Sequence, residues 1–286
     1  MISLEQTEQD NRLVVFRTVV LMFWFAMYTY VPVLGPYVQH LGGSLQMVGL
    51  VVGSYGFTQL LLRIPLGMLS DRLKKRKLFI RIGVALAFLS AVGMGFGNSP
   101  WLVFAFRSMA GAAAATWVTF TILFSSYFPE NQTAKAMGVA TFLSHVAQMA
   151  ATTLGGFIVD RYGWQSPFVL GGVVGLAGLL LSGRITESKN VPGQPMKAKE
   201  LLSVAADRLL LVASFLAIIV QCVTFSTVYG FTPNHAANIG ATASELGILS
   251  LVSTLPAAYG ALKSGTWAER MGDRLLLVLA FLVCAV

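Results

Sequence analysis

Long apolar runs separated by short polar breaks set the pattern of this chain. A helix needs about 20 mostly apolar residues to cross the hydrocarbon of a bilayer. By that measure the sequence predicts eight crossings and the start of a ninth. The first six run Arg17 to Val38, Gln46 to Ser70, Phe79 to Gly97, Trp101 to Tyr127, Thr133 to Val159 and Ser166 to Gly183. Thr186 to Asp207 is the one long polar stretch, and Pro192, Gly193 and Pro195 prevent continuous helix there. Its latter part, Lys197 to Arg208, reads either as a short amphipathic helix on the membrane surface or as a disordered tether. Leu209 to Thr232 and Thr242 to Gly265 follow as crossings seven and eight. The ninth begins near Arg274 and stops at Val286, about a dozen residues that do not span a bilayer, so the sequence reads as truncated. The expected organisation is a six-helix unit over residues 1–183, a linker over 184–208 and part of a second unit over 209–286.

The polar break after the second crossing is the most informative. In Gly67-Met68-Leu69-Ser70-Asp71-Arg72-Leu73-Lys74-Lys75-Arg76-Lys77 a glycine and an acid lie one helical turn apart, and five cations follow within six residues. A weaker copy appears at Gly265-Thr266-Trp267-Ala268-Glu269-Arg270-Met271-Gly272-Asp273-Arg274. Gly67 and Gly265, Asp71 and Glu269, Arg72 and Arg270, and Arg76 and Arg274 are each 198 residues apart, as are Gly42 and Gly240, and Gly49 and Gly247. The chain therefore reads as a doubled membrane unit.

Composition removes the soluble alternatives. Charged residues are 11% of the chain, against roughly a quarter in an ordinary soluble domain. Apolar residues are 56%, and the mean hydropathy is +0.72. The net charge of +8 does not point to nucleic acid, because its cations sit in short loops between apolar runs. Those cations fall on one side: Arg72, Lys74, Lys75, Arg76 and Lys77 after the second crossing, and Arg184, Lys189, Lys197, Lys199 and Arg208 after the sixth. The opposite loops near His40, Asn98 and His235 carry none, and Arg161 alone breaks the pattern. The asymmetry predicts a cytoplasmic amino terminus in a plasma or inner membrane. The first eleven residues lack a signal peptide's basic start and cleavage site, so the first apolar run stays as an anchor. Cys222 and Cys284 both lie in apolar runs and suggest neither a disulfide nor a metal site. There is no catalytic constellation, phosphate loop or metal spacing, so the expectation is a non-enzyme without cofactor, driven by an ion gradient.

Six helices, a cytoplasmic linker and a repeat that begins again resemble the major facilitator superfamily of secondary transporters. Gly67, Leu69, Asp71, Arg72 and Arg76 fit its signature loop, with Lys74 where the family usually has a second glycine. Arg107 and Gly111 resemble its second motif; Pro129-Glu130-Asn131 before Ala136-Met137-Gly138, and Leu154-Gly155-Gly156 with Gly163-Trp164, resemble its entry into and exit from helix 5. Many exporters of the family carry a Gly-Pro pair in helix 5, and residues 142–154 contain neither residue. The resemblance implies an all-α membrane bundle of two related halves that rock about a central site. It implies a small-molecule substrate, a proton or other coupling ion, and a monomer in the lipid bilayer. It also implies that Gly67, Asp71, Arg72 and Arg76, with Gly265, Glu269, Arg270 and Arg274, form a latch between the halves on the inner side. In that latch Gly67 admits a neighbouring helix, Asp71 faces the positive end of another and pairs with cations of its own loop, and Gly265 with Glu269 docks near Asn131 to Lys135.

Ionisable groups inside a bilayer are costly and mark function by default. Arg107 lies about two turns inside helix 4, and the six complete helices hold no clearly intramembrane acid to neutralise it. It reads either as a substrate or coupling group or as a structural partner of backbone carbonyls. Arg63 on helix 2 reads as snorkelling to the interface. His145, one turn from Gln148, is a candidate proton-coupling group, although a lone helical His is more often simply hydrogen-bonded. Tyr28, Tyr55, Gln59, Trp117, Thr121, Gln221 and Thr224 are candidates for a cavity wall or for interhelical packing. Gly49 with Gly53, and Gly93 with Gly97, read as close-packing faces. The positive charge favours an anionic or neutral solute. Proton-driven drug or metabolite efflux is the alternative, and a non-transporting receptor or scaffold is the alternative of another class.

Overall fold

A computed structural model describes residues 2–129, 132–187 and 206–285. Among these all regular structure is helical. Helices α1 (Ile2–Tyr28) and α2 (Val31–His40) together make the first crossing. α3 (Leu45–Leu73) and α4 (Arg76–Gly95) make the second and third, and α5 (Pro100–Ala115) with α6 (Trp117–Ser125) makes the fourth. α7 (Thr133–Tyr162) and α8 (Ser166–Ser182) complete the first half. α9 (Arg208–Ser226), a π-helical turn (Thr227–Phe231) and α10 (Thr232–Asn238) form the seventh crossing. α11 (Ala243–Met271) and α12 (Asp273–Ala285) are the eighth and the start of the ninth.

Six of these segments are long and apolar enough to cross a membrane, and the apolar helices Ser166–Ser182 and Ala243–Pro256 are shorter. The first helix starts at Ile2 rather than near Arg17, so the polar amino terminus prolongs it. The linker prediction over Lys197 to Arg208 falls almost wholly outside the described residues.

Sequence periodicity predicts unbroken helices, but crossings one, four and seven are each interrupted. In the first, Pro32 has no N–H to return to the Tyr28 carbonyl. The helix stops at Tyr28 and restarts at Val31, with Val33 N–H bonding Tyr30 O at 3.2 Å in a tighter turn. In the seventh, Pro233 stands just beyond the π-helical turn and withholds the same bond from Tyr229. The fourth breaks without proline at Thr116, whose hydroxyl donates to Ala113 O at 2.7 Å while its side chain fills the space beside Gly83 of α4. Pro65 and Pro256 remain inside continuous helices. Irregular backbone at membrane depth persists only where protein or a cavity satisfies it, so the three breaks mark where the bundle is specialised.

The 198-residue repeat is visible in local geometry. Gly42 and Gly240 both take positive φ, at 84° and 102°, where glycine is favoured. Two residues later Ser44 caps α3 by accepting from Met47 N–H at 3.3 Å. Thr242, in the same position ahead of α11, accepts from Glu245 N–H at 3.3 Å while Glu245 accepts from Thr242 N–H at 2.7 Å, a capping box.

Packing explains why the outward faces are apolar. Phe16, Phe23, Met27, Phe120 and Phe124 form a buried spine between α1 and α6. Phe57, Leu180 and Phe215 point away from it, 64%, 73% and 62% exposed, as lipid-facing side chains do. The predicted close-packing pair on α3 is corrected: a side chain at Gly53 would meet nothing within 4 Å, and one at Gly49 only Phe231 at 3.8 Å. The pair on α4 differs, since a Cβ at Gly93 would strike the Phe106 ring.

The loop after α3 ends that helix on Lys74 with φ 51°, the left-handed conformation that favours glycine. A side-chain-bearing residue there pays about 1 kcal/mol. Lys74→Gly is therefore expected to stabilise the protein by about 1 kcal/mol, read as a raised midpoint of thermal unfolding in detergent. An unchanged or lowered midpoint refutes this strain.

Candidate functional site around Arg107

The first and second crossings bring aromatic rings onto Arg107 of the fourth. Its side chain is 2% exposed, and Nε and Nη1 find no hydrogen-bond partner. Gly111, one turn along α5, leaves room for the backbone of Tyr55 on α3, where any Cβ would strike the Tyr55 carbonyl. That close approach lays the Tyr55 ring over the guanidinium, with Cζ 4.3 Å from the ring centroid. Tyr30, in the break of the first crossing, sits on another side at 5.7 Å. A desolvated cation–π contact contributes about 2 kcal/mol, against an effective penalty of several kcal/mol for burying an ion. The rings soften the burial of Arg107 without offsetting it.

Aromatic rings extend the cage through three crossings. Trp117, at the restart of the fourth, meets Trp24 edge-on at 5.1 Å; Trp24 meets Tyr28 at 5.7 Å, and Tyr28 meets Tyr229 of the π-helical turn at 5.8 Å. Phe225 links Tyr229 (5.6 Å) to Tyr55 (5.7 Å). The Trp24 Nε1–H and the two Arg107 nitrogens are buried without partners, while the Tyr30 hydroxyl lies against Ser90 and Arg107. The cage thus holds a surplus of donors and calls for an acceptor-rich guest.

Beside the cage, a cleft of about 530 Å³ runs between α3 and α9. Phe225 lines it on one side and faces Tyr55 on the other. Its walls are mostly apolar, with Gln59, Gln221 and Ser226 as polar points and Arg63 as the one charged side chain.

The predicted residues do not all gather here. Tyr28 and Trp117 join the Arg107 cage, and Gln221 joins the cleft. Thr224 hydroxyl bonds Val220 O of its own helix at 2.9 Å. His145 is held by the Thr141 carbonyl one turn back, 2.8 Å from Nδ1, and Gln148 lies half-buried on the same helix, α7.

The signature loop is held mainly by its own side chains and by the start of the linker. Gly67 admits no close neighbour, since a Cβ there would only touch Val118 at 3.8 Å. Asp71 pairs with Arg76, a cation of its own loop, at 2.7 Å. The amino end of α4 is capped by Glu187, whose two oxygens each accept at 2.9 Å, from Arg76 N–H and Lys77 N–H. Lys77 Nζ donates to Gly183 O at 2.7 Å, so the loop fastens to the start of the linker. Arg72 is exposed, as are Arg270 and Arg274. The surroundings of Gly265, the side chains of Glu269, Ala134 and Lys135, and Asn131 altogether fall outside what is described.

Asp160 was missed. From the end of α7 it accepts from Ala243 N–H at 3.0 Å and Ser244 N–H at 2.8 Å, and the Ser244 hydroxyl also donates to it. It thus caps α11, which belongs to the second half. Beneath the cap a Cβ on Gly156 would stand 3.0 Å from Gly247 Cα, and Val33, Val159, Ala243 and Leu246 form a dry cluster. The halves therefore meet on the side of the Gly42, Asn98 and Gly240 loops, opposite the Asp71 loop. The sequence held a signal for this: Gly156, Asp160 and Arg161 repeat the spacing of Gly67, Asp71 and Arg72, each 89 residues on.

Comparison with known proteins agrees with this architecture. A family model described as Major Facilitator Superfamily matches residues 18–286. "Inner membrane transport protein YajR" of Escherichia coli (strain K12) is 28% identical over 166 residues, 58% of this chain and 36% of that protein. "Multidrug resistance protein Stp" of Mycobacterium tuberculosis (strain CDC 1551 / Oshkosh) is 32% identical over 134 residues, 46% of this chain and 25% of that protein. Among solved structures, a bacterial homolog to the human lysosomal transporter Spinster, inward-facing and unoccupied, gives a TM-score of 0.69 at 19% identity, covering 93% of this chain and 64% of that one. The curated relatives named here are matched over 36% and 25% of their length. The expectation of a transporter rather than an enzyme agrees with these matches.

The Asp160 cap makes a direct prediction. The first amides of a helix have no partner within it, so those of Ala243 and Ser244 depend on this carboxylate. Asp160→Ala is expected to remove about 1–3 kcal/mol from them. Hydrogen exchange in a peptide covering residues 243–247 should then run about tenfold faster or more, whereas Asp71→Ala leaves it unchanged. Unaltered exchange in Asp160→Ala would refute the cap.

Proposed function

Because the chain belongs to the major facilitator superfamily, we propose that it serves secondary transport of a small anionic or neutral solute. The observation that carries this reading is Arg107, buried with two unpartnered nitrogens against Tyr30 in the break of the first crossing. An oxyanion accepts from such a guanidinium in a bidentate fork, and the spare Trp24 donor lies in the same aromatic surround. The neighbouring cleft adds Arg63 and no acid, so the charged groups nearest a passing solute are cations.

The protein is an integral, multi-pass membrane protein. Alternating access then uses the seam at Gly156, Gly247 and Asp160 as the closed side, with the Asp71 loop on the side that opens. The distribution of Lys and Arg supports a cytoplasmic amino terminus, and a relative described as an inner membrane transport protein supports that membrane. Energy comes from an ion gradient, with the proton as the coupling ion. Efflux of an apolar compound is the second reading, supported by the apolar cleft walls and by a relative named for multidrug resistance.

Flux in proteoliposomes tests the first reading. Carboxylates are expected to move in response to a proton gradient and lipophilic cations are not. Arg107→Ala should lower carboxylate flux about 10- to 100-fold, the loss expected for a hydrogen bond to a charged group, with Arg107→Lys in between. Transport of lipophilic cations alone would favour efflux, unchanged carboxylate flux in Arg107→Ala would remove that residue from the site, and absence of any gradient-driven flux would favour a scaffold.

A further inference from the structure

A second groove of about 650 Å³ lies on the bundle's outer wall, along the seam of α4 and α8. Its two ends differ in chemistry. The floor is Phe88 and Val92 of α4 with Val169, Val173 and Leu176 of α8. Val169 and Val173 are 54% and 62% exposed, on a face that none of the described residues covers. The rim is His40, Asn98 and Gln165, all exposed, at the ends of their helices. Trp164 stacks on His40 at 5.3 Å and Trp101 is exposed on the same side, and tryptophan gathers at the membrane–water interface. The rim therefore stands at headgroup level and the floor within hydrocarbon.

The rim is free to bind. Tyr37 hydroxyl bonds Met94 O at 3.2 Å and Gly97 O at 3.1 Å, so two end carbonyls of α4 are already engaged. The Asn98 and Gln165 amides and the His40 ring remain at the mouth. From Gln165 to Leu176 the groove descends about 16 Å at 1.5 Å per residue, roughly half the hydrocarbon thickness. A water-soluble solute would leave most of that wall unused. A molecule that is polar at one end and apolar along its length matches both zones, and the surrounding bilayer supplies one.

We propose that this groove is a binding site for a single membrane phospholipid, one acyl chain lying between α4 and α8 and the headgroup at His40, Asn98 and Gln165. The lining carries no Asp, Glu, Lys or Arg, so it suits a headgroup of no net charge such as phosphatidylethanolamine. A chain moving from lipid into this groove gains packing rather than escape from water, so the preference over bulk lipid is modest, about tenfold.

The test is photolabelling of the full chain in phosphatidylethanolamine nanodiscs carrying a trace of the same lipid with a diazirine near one acyl terminus. Adducts are expected in residues 88–98 and 165–176 about tenfold above the rest of the lipid-facing surface. Val173→Trp, at a position already facing outward, should fill the groove and lower these adducts about tenfold. Asn98→Ala with Gln165→Ala, both on the exposed rim and so compatible with folding, should lower them about threefold. Even labelling over the whole perimeter, indifference of the adducts to either change, or their displacement by a soluble carboxylate would each overturn the site.

Discussion

One positive charge that its surroundings do not neutralise governs the centre of this protein. Arg107 cannot be deprotonated to escape burial, and among the described residues no carboxylate pairs with it. Its position is instead prepared by backbone: Gly111 brings α3 close enough to roof the guanidinium with Tyr55, and the break before Val31 turns Tyr30 towards it. Those contacts leave its buried Nε and Nη1 without hydrogen-bond partners. A bundle that keeps such a group, rather than a well-packed apolar side chain, retains a demand for an acceptor.

Away from the centre, two carboxylates do similar work on two helices. Glu187 caps α4 from the start of the linker, and Asp160 caps α11 from the end of α7. Each presents both oxygens to successive amides of a first helical turn, where the macrodipole also favours negative charge. The first fastens a segment to its own half; the second joins one half to the other. The geometry is alike, but only the second spans the two halves.

Much of the architecture was legible in the run of apolar residues, because bilayer thickness imposes a length on every crossing. The interruptions were legible in part. Pro32 and Pro233 advertise lost hydrogen bonds, but Pro65 and Pro256 do not break their helices, and Thr116 breaks one without proline. Arg107 stood out because charge is scarce in such runs. Its cage did not, since Trp24, Tyr30 and Tyr229 are ordinary apolar-helix residues until three backbones bring them together. Asp160 was overlooked for a different reason: its spacing from Gly156 copies Gly67 and Asp71, yet it lacks the run of lysines that makes the first copy conspicuous. Asp71 itself drew attention through those cations, and one of them, Arg76, is its partner.

The shortness of α8 carries a consequence for the membrane around it. Its 17 residues rise about 26 Å at 1.5 Å per residue, a few ångströms less than the roughly 30 Å of an average hydrocarbon core. The leaflets must thin beside it, or the helix must stand nearly upright, each at a fraction of a kcal/mol per ångström. The energy of any movement of α8 then includes deformation of the surrounding lipid, which makes bilayer thickness, a property of the host cell, one of the variables that set the protein's conformational balance.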